Sequence, residues 1–335
     1  METKVGKIAW KAQLIKSLKI AAAAFAAIAL AAELGLKYSV TAGIITILSI
    51  QNTKQETIRS AAKRWAAFLC ALLLIRICFV TLGYTLWAFG AYLFLFALLC
   101  LCVGWSEAVA MDSVLITHFL AEQNMGAGML LNEGLLLLIG TGAGVLVNVH
   151  LHKKEKEFSA LAAVVDEQIK GILAQMSCWL PKEDKNGYGA ECFDQLERAI
   201  DAARICAASN YGNSVFSRDA YEIEYISMRE QQSILLREIY DNIVRIHYLP
   251  EQSVQVARLL EAIGDDYARE NTVEGLLDKM DALLVEMREQ PLPGSRDEFE
   301  ARAILFYILM QIKQFLEIKK KWCCFWGQGT EGQGQ

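Results

Sequence analysis

The sequence predicts an all-α protein divided between two solvents: a six-helix transmembrane bundle followed by a cytoplasmic antiparallel helical bundle. Three observations predict it. Apolar residues make up 54% of the chain, with a mean hydropathy of +0.27, above the roughly 45–50% usual for a soluble globule. The excess is concentrated: between residues 65 and 149 the charged side chains are Arg76, Glu107, Asp112, Glu122 and Glu133, whereas from residue 151 onward there are 22 Lys/Arg and 31 Asp/Glu. From residue 155 the apolar positions recur at helical 3/4 spacing, and no strand-like alternation of comparable length competes. The formal charge of −5 therefore averages two environments, and the acidic second half argues against nucleic acid as a partner.

Six apolar segments follow one another, at residues 16–33, 34–51, 65–82, 86–104, 105–121 and 129–150. Length alone favours the first, third, fourth and sixth, since a spanning helix needs about 20 residues. Charge supplies the rest. Lysines at 4, 7, 11, 16 and 19, the group Lys54, Arg59, Lys63 and Arg64, and Lys153, Lys154 and Lys156 form three basic clusters, and the positive-inside rule puts all three in the cytoplasm. An even number of crossings must separate consecutive clusters, so the 34–51 segment spans with its predecessor, Lys37 snorkelling to the outer interface, and 105–121 spans despite Glu107 and Asp112. Re-entrant or interfacial placement of those two segments is the alternative, and it also leaves an even total, four crossings. The Ala-rich first segment imitates a secretory signal, but further apolar segments follow at once, so it reads as a retained span.

The implied layout is a basic cytoplasmic N-terminus (1–15), a six-span membrane domain (16–151), a cytoplasmic helical domain (152–326) and a disordered Gly/Gln tail (327–335). In the helical domain the stripes are Phe158, Leu161, Val165, Ile169 and Ile172; Phe193, Leu196, Ile200, Ala203 and Ala207; Leu235, Ile239, Ile243 and Ile246, ending before Pro250; Val256, Leu260, Ile263 and Tyr267; Leu276, Met280, Leu283 and Met287, ending before Pro291; and Leu305, Leu309, Ile312 and Leu316. Short Gly or Pro connectors between such stripes read as an antiparallel bundle. Lys319, Lys320 and Lys321 beside Trp322, Phe325 and Trp326 read either as a helix C-terminus whose aromatics pack on the bundle or as a patch for an anionic leaflet, with Cys323 and Cys324 open to palmitoylation. The nine cysteines show no paired CxxC spacing and read as reduced packing residues.

Chemistry is sought first among ionisable residues inside the apolar half, because such charges are costly and are therefore paired or face a polar path. Arg76 lies about 16 Å along its helix from residue 65, close to the midplane, and Asp112 and His118 bracket that depth on the fifth segment. Arg76 is thus expected to pair with Asp112, either as a docking charge for an anionic substrate or as a fixed bridge between two helices, and His118 stands beside them as a binding candidate. Glu107 and His118 are candidates for proton coupling, because histidine changes charge near neutral pH; Glu107 also reads as an interfacial residue one turn into its helix. Gly140 and Gly144, in "GTGAG", form a small-xxx-small face rather than a phosphate loop, since no strand precedes them. His150 and His152 lack the partners of a zinc site. No cofactor, metal site or catalytic constellation is expected, and an enzyme is the weaker reading.

Two longer motifs carry more. "TAGIITILSIQNTKQETIRSAAKR" (41–64) and "LLLLIGTGAGVLVNVHLHKKEKEF" (135–158) resemble the bacterial aromatic acid exporter family, related to the fusaric acid resistance transporters, over about residues 10–320. The resemblance implies a six-helix membrane half with a helical cytoplasmic domain, in the bacterial cytoplasmic membrane, exporting small aromatic carboxylates. It carries over no binding residues. Larger exporters of this group have two membrane halves per chain and this chain has one, so the resemblance implies a homo-oligomer. The competing reading is a membrane-anchored scaffold or sensor whose acidic helical domain binds a cytosolic partner.

Overall fold

The computed structural model describes residues 2–149, 154–185, 187–214, 220–266 and 273–330, and every regular element among the described residues is an α-helix. The chain divides into two compact units, Met1–Lys153 with Gly212–Ser217, and Lys154–Tyr211 with Arg218–Gln335.

The first unit contains α1 (Glu2–Glu33), α2 (Val40–Ser49), α3 (Lys54–Leu82), α4 (Leu86–Val103), α5 (Ser106–Glu122) and α6 (Ala127–Val149). Four stretches are long and apolar enough to cross a membrane: Gln13–Glu33, Lys54–Leu82, Leu86–Val103 and Ala127–Asn148. These correspond to the four segments that length alone favours, with the Lys54–Leu82 stretch starting well before the expected residue 65. The expectation of a second helix over 34–51 is corrected. Residues 34–39 fold into turns in which Gly35 and Tyr38 take left-handed φ of 66° and 61°, so helix starts only at Val40 and α2 is 10 residues long. It rises about 15 Å, half the thickness of a hydrocarbon core near 30 Å. α5, at 17 residues, rises about 26 Å.

The basic 54–64 stretch is not a linker but the first three turns of α3. Thr53 caps it, its Oγ1 accepting from Glu56 N at 3.3 Å, and Glu56 adds an acidic first turn; a hydroxyl there satisfies a helix donor that otherwise has no partner. Gly104 ends α4 with a φ of 76°, and Trp105 N then reaches back to Cys100 O at 2.7 Å, the left-handed closure that glycine permits.

α2 packs chiefly on α6 and α1, and the glycines explain how closely. A Cβ at Gly140 would fall 2.8 Å from Ala42 O, and one at Gly144 would fall 2.6 Å from Ser49 Cβ. The small-xxx-small face expected of α6 is therefore the seat of α2.

The second unit is built from α7 (Glu155–Trp179), α8 (Glu191–Asn213), α9 (Tyr221–Val244), α10 (Gln252–Asp265), α11 (Glu274–Glu289) and α12 (Arg296–Thr330). Its core is the set of stripes read from the sequence: Phe158, Val165, Ile169, Leu196, Ile200, Ile239, Ile243, Val256, Leu260, Met280, Leu305, Leu309, Ile312 and Leu316 are all buried. Leu161, Leu283 and Met287 pack at its edge; Tyr267 lies outside the described residues. α7 packs on α10 and α9 on α12. The lysine run is not a helix end, because α12 continues to Thr330, four residues into the Gly/Gln stretch; residues 331–335 lie outside those described. Lys319 is fully buried, Lys320 approaches Glu274 at 3.6 Å, and Trp322 and Trp326 pack on Tyr221.

Candidate functional site

The first unit holds two polar clusters on its packed helix faces. α3 buries Thr57, Ser60, Arg64, Ala67, Phe68, Ala71, Ile75 and Cys78, an uninterrupted 3/4 stripe that carries a guanidinium inward at Arg64. Only 3% of Arg64 is exposed. Its Nη1 donates to Ser49 Oγ at 2.8 Å and its Nη2 to Leu48 O at 2.5 Å, so it closes the C-terminal end of α2, where carbonyls lack partners and the helix dipole is negative. Its buried Nε has no acceptor, and among the described residues no carboxylate closes an ion pair with it. Glu107 and Asp112 act on it only through their charge.

Glu107 stands in the first turn of α5, exposed, and accepts from Ser60 Oγ at 3.0 Å. A carboxylate there meets the positive end of the helix dipole. Nearby, Asn148 Nδ2 donates to Gln51 O at 2.8 Å and to Thr57 Oγ1 at 2.5 Å, tying α6 to the α2–α3 connection. Asp112, one turn further along α5 on the face formed by Ala108, Leu115 and Phe119, is fully buried. Neither of its oxygens has a hydrogen-bond partner among the described residues.

The second cluster lies at the other end of α5. His118 Nδ1 is 2.8 Å from Glu133 Oε2, and both side chains are buried. Asn132 Nδ2 donates to Glu133 Oε1 at 3.0 Å and to Lys37 O at 3.1 Å, while its Oδ1 accepts from Lys37 N at 2.8 Å. The Tyr38 ring stacks on His118 with centroids 3.9 Å apart and planes 3° from parallel. Tyr38 makes this contact from a left-handed φ of 61°, a conformation that costs a non-glycine residue about 1–3 kcal/mol and concentrates at functional sites. Lys37 Nζ and Tyr38 Oη both donate to Glu122, at 2.6 and 3.2 Å. Lys37 is thus held at the end of the unit by a surface ion pair, and this neighbour raises its affinity for a proton.

The expected pairing of Arg76 with Asp112 does not form. Arg76 follows Ile75, the buried member of the stripe, and so points out of the unit beside the exposed Leu73, Ile77 and Val80. Arg64, twelve residues earlier and in phase with the stripe, is the arginine that faces Asp112. Its signal was in the sequence: the 3/4 spacing runs on through the basic stretch from Thr57 to Ala71 and includes Arg64 while excluding Lys63. Glu107 and His118 are eleven residues apart, about 16 Å along α5, and the structure does not bring them together; Glu133 is the hydrogen-bond partner of His118. His150 and His152 lie outside the described residues. Among the described residues, no group of three His, Cys, Asp or Glu side chains is gathered to hold a metal ion.

Four helices long and apolar enough to cross a membrane, packed around buried ionisable side chains, are the build of a multi-pass membrane protein. Comparison with known proteins gives the particular family. Residues 13–151 match the family model "Aromatic acid exporter family member 1", and residues 155–320 match "Putative aromatic acid exporter C-terminal domain". The chain belongs to the aromatic acid exporter family; it is a bacterial membrane transport protein and not an enzyme. It is 26% identical over 304 residues to the uncharacterized protein YqjA of Bacillus subtilis (strain 168), covering 91% of this chain and 94% of that one. A crystal structure described as a "putative membrane protein from Clostridium difficile 630" matches with 25% identity and a TM-score of 0.44, covering 49% of this chain and 97% of that one.

Proposed function

We propose that the protein exports small aromatic carboxylates from the cytoplasm, and that Arg64 is the charge on which the substrate carboxylate docks. The observation that carries this reading is the buried guanidinium with two donors spent on α2, a spare Nε, and no carboxylate in ion-pair contact. A guanidinium inside a membrane protein is expensive unless an anion compensates it, and a carboxylate matches its planar donors. The aromatic ring of the substrate would lie against the apolar faces of α3 and α5.

Six crossings with both termini in the cytoplasm fit the three basic clusters; at the 10-residue α2 this requires the flanking turns to share the crossing or the bilayer to thin locally. Arg64 belongs to the second cluster, so the substrate would be taken up at the cytoplasmic end. The chain has a single membrane unit, and assembly of several copies is part of the reading: Arg76 on the outer stripe of α3 is a charge that a neighbouring copy would cover better than lipid tails do. On this reading His118, with Glu133, forms a second polar station at the outer end.

The test is counterflow of radiolabelled benzoate in proteoliposomes, with and without a pH gradient. Wild type accumulates label, Arg64→Gln loses at least a hundredfold in rate, and Arg76→Ala keeps most of it. Equal loss in both variants would remove Arg64 from its assigned role, and absence of counterflow in wild type would favour a membrane-anchored scaffold.

A further inference from the structure

Two buried carboxyl oxygens on α5 have no use in the docking scheme. Both oxygens of Asp112 are buried without a hydrogen-bond partner among the described residues. Asp112 and Tyr92 are each 0% exposed and Ser113 is 8% exposed. Tyr92 on α4 lies beside both Ser113 and Asp112, so the carboxyl group has two hydroxyl oxygens for neighbours. Buried polar atoms are nearly always paired. A fully buried carboxyl group with neither oxygen paired is an exception that points to an occupant.

The charges around the spot say which kind. α2 contributes none, since Val40–Ser49 contains no titratable side chain. α3 contributes Arg64, the charge that acts on Asp112. α4 contributes the neutral phenol of Tyr92 and the thiol of Cys100. On α5 itself Glu107 acts on Arg64 from the helix start, and His118 is held by Glu133 at the far end. A small cation is the occupant that an acidic, oxygen-lined, otherwise uncompensated spot takes.

We propose that Asp112 is a proton site linked to substrate: it takes up H+ when an aromatic carboxylate docks on Arg64 and releases it when the anion leaves. This inference rests on the export reading. One O–H bond forms on the carboxyl group, the proton comes from water on the side where the substrate binds, and no electrons change hands. The linkage follows from a shared guanidinium. Ionised Asp112 and the substrate carboxylate compete for the field of Arg64, so neutralising the first favours the second, and the coupling is reciprocal. A weak acid that crosses the bilayer neutral and ionises inside releases one carboxylate and one proton, the two species this pair would accept together.

The experiment measures the benzoate KM by counterflow in sodium-free proteoliposomes between about pH 6 and 8.5, where benzoate stays ionised. The wild-type KM should fall as pH falls, approaching tenfold per unit where Asp112 titrates. Asp112→Asn should give a KM independent of pH, and Asp112→Glu should keep the dependence with its midpoint displaced. Tyr92→Phe, which removes one oxygen of the spot and keeps the ring, should shift the midpoint without abolishing transport. A wild-type KM flat with pH, or the same pH profile in Asp112→Asn, overturns the proposal while leaving export intact. If Asp112→Asn does not fold, an unshifted profile in Asp112→Glu overturns it equally. A KM that follows added Na+ instead of pH assigns the spot to the metal ion and overturns the proton. Failure of wild type to move benzoate at any pH defeats the export reading and this inference together.

Discussion

Arg64 in the membrane unit and Arg229 in the helical unit are both buried, at 3% and 0% exposure, and their surroundings differ in kind. Arg229 is saturated. Its Nη2 sits 2.7 Å from Asp166 Oδ1, its Nη1 donates to Gln232 Oε1 at 2.9 Å, and its Nε and Nη2 reach Tyr225 Oη at 3.2 and 3.0 Å. Tyr225 in turn donates to Asp166 at 2.6 Å, and Gln232 Nε2 bonds Phe315 O on α12 at 2.8 Å. This closed network joins α7, α9 and α12. Arg64 has a hydroxyl, one carbonyl and a spare donor. A saturated buried charge organises a core; an unsaturated one is available to a ligand. The comparison separates a structural arginine from a candidate functional one without reference to their sequence neighbours.

The sharpest way to break the comparison is to remove each arginine in the full-length protein and follow unfolding in detergent by circular dichroism. Arg229→Leu strands Asp166 and Tyr225 and should cost about 3–5 kcal/mol. Arg64→Gln keeps an amide donor for Leu48 O and should cost less than about 1.5 kcal/mol, the scale of one hydrogen bond, while losing transport. Equal destabilisation by the two would mean that Arg64 is as structural as Arg229.

Lys319 sharpens the description of the saturated side. It is fully buried, and burial, with Arg229 adding repulsion, pushes its pKa down to about 8. Between that value and the ordinary lysine value the unfolded chain holds a proton that the folded chain has lost, so stability rises with pH through this window, and below about 8 the penalty is complete. Lys319→Met should abolish the rise and stabilise the protein near neutrality by roughly 2–3 kcal/mol. A variant that still shows the rise would assign it to another group.

On the membrane side, Gly144→Leu would drive a side chain into Ser49, which is the acceptor of Arg64 Nη1. Overpacking of this kind costs about 1–3 kcal/mol, and transport should fall with it, because Ser49 positions the guanidinium. Transport unaffected by Gly144→Leu would separate the α2–α6 seat from the docking site. The smallest effect is expected at the start of α3, where Thr53→Ala removes the cap and should cost about 1 kcal/mol, read as a lower midpoint of thermal unfolding with KM unchanged.

Much of this was legible in advance, unevenly. The stripes of the helical unit, from Phe158 on α7 to Leu316 on α12, needed only periodicity, because burial of one helix face fixes a 3/4 pattern whatever the face packs against. The same rule found four long apolar helices and the glycine face of α6. It failed at α2, since hydropathy does not see the turns at Gly35 and Tyr38 that delay the helix. It failed at Arg76 because depth along a helix says nothing about direction around it: one residue past Ile75 is a rotation of about 100°. Glu133 was visible as a charge in an apolar run, but its partner His118 is on another helix.

The sequence by itself determined what each segment buries: which stretches require hydrocarbon and which faces of the acidic helices require one another. Those are local properties, set by side-chain chemistry repeating at the period of the backbone. Only the tertiary structure decided which charges meet, joining Arg64 to the end of α2, leaving Asp112 unpaired beside Tyr92, and setting His118 against Glu133. Such encounters depend on rotation and register between helices far apart in the chain, and no single helix carries that information.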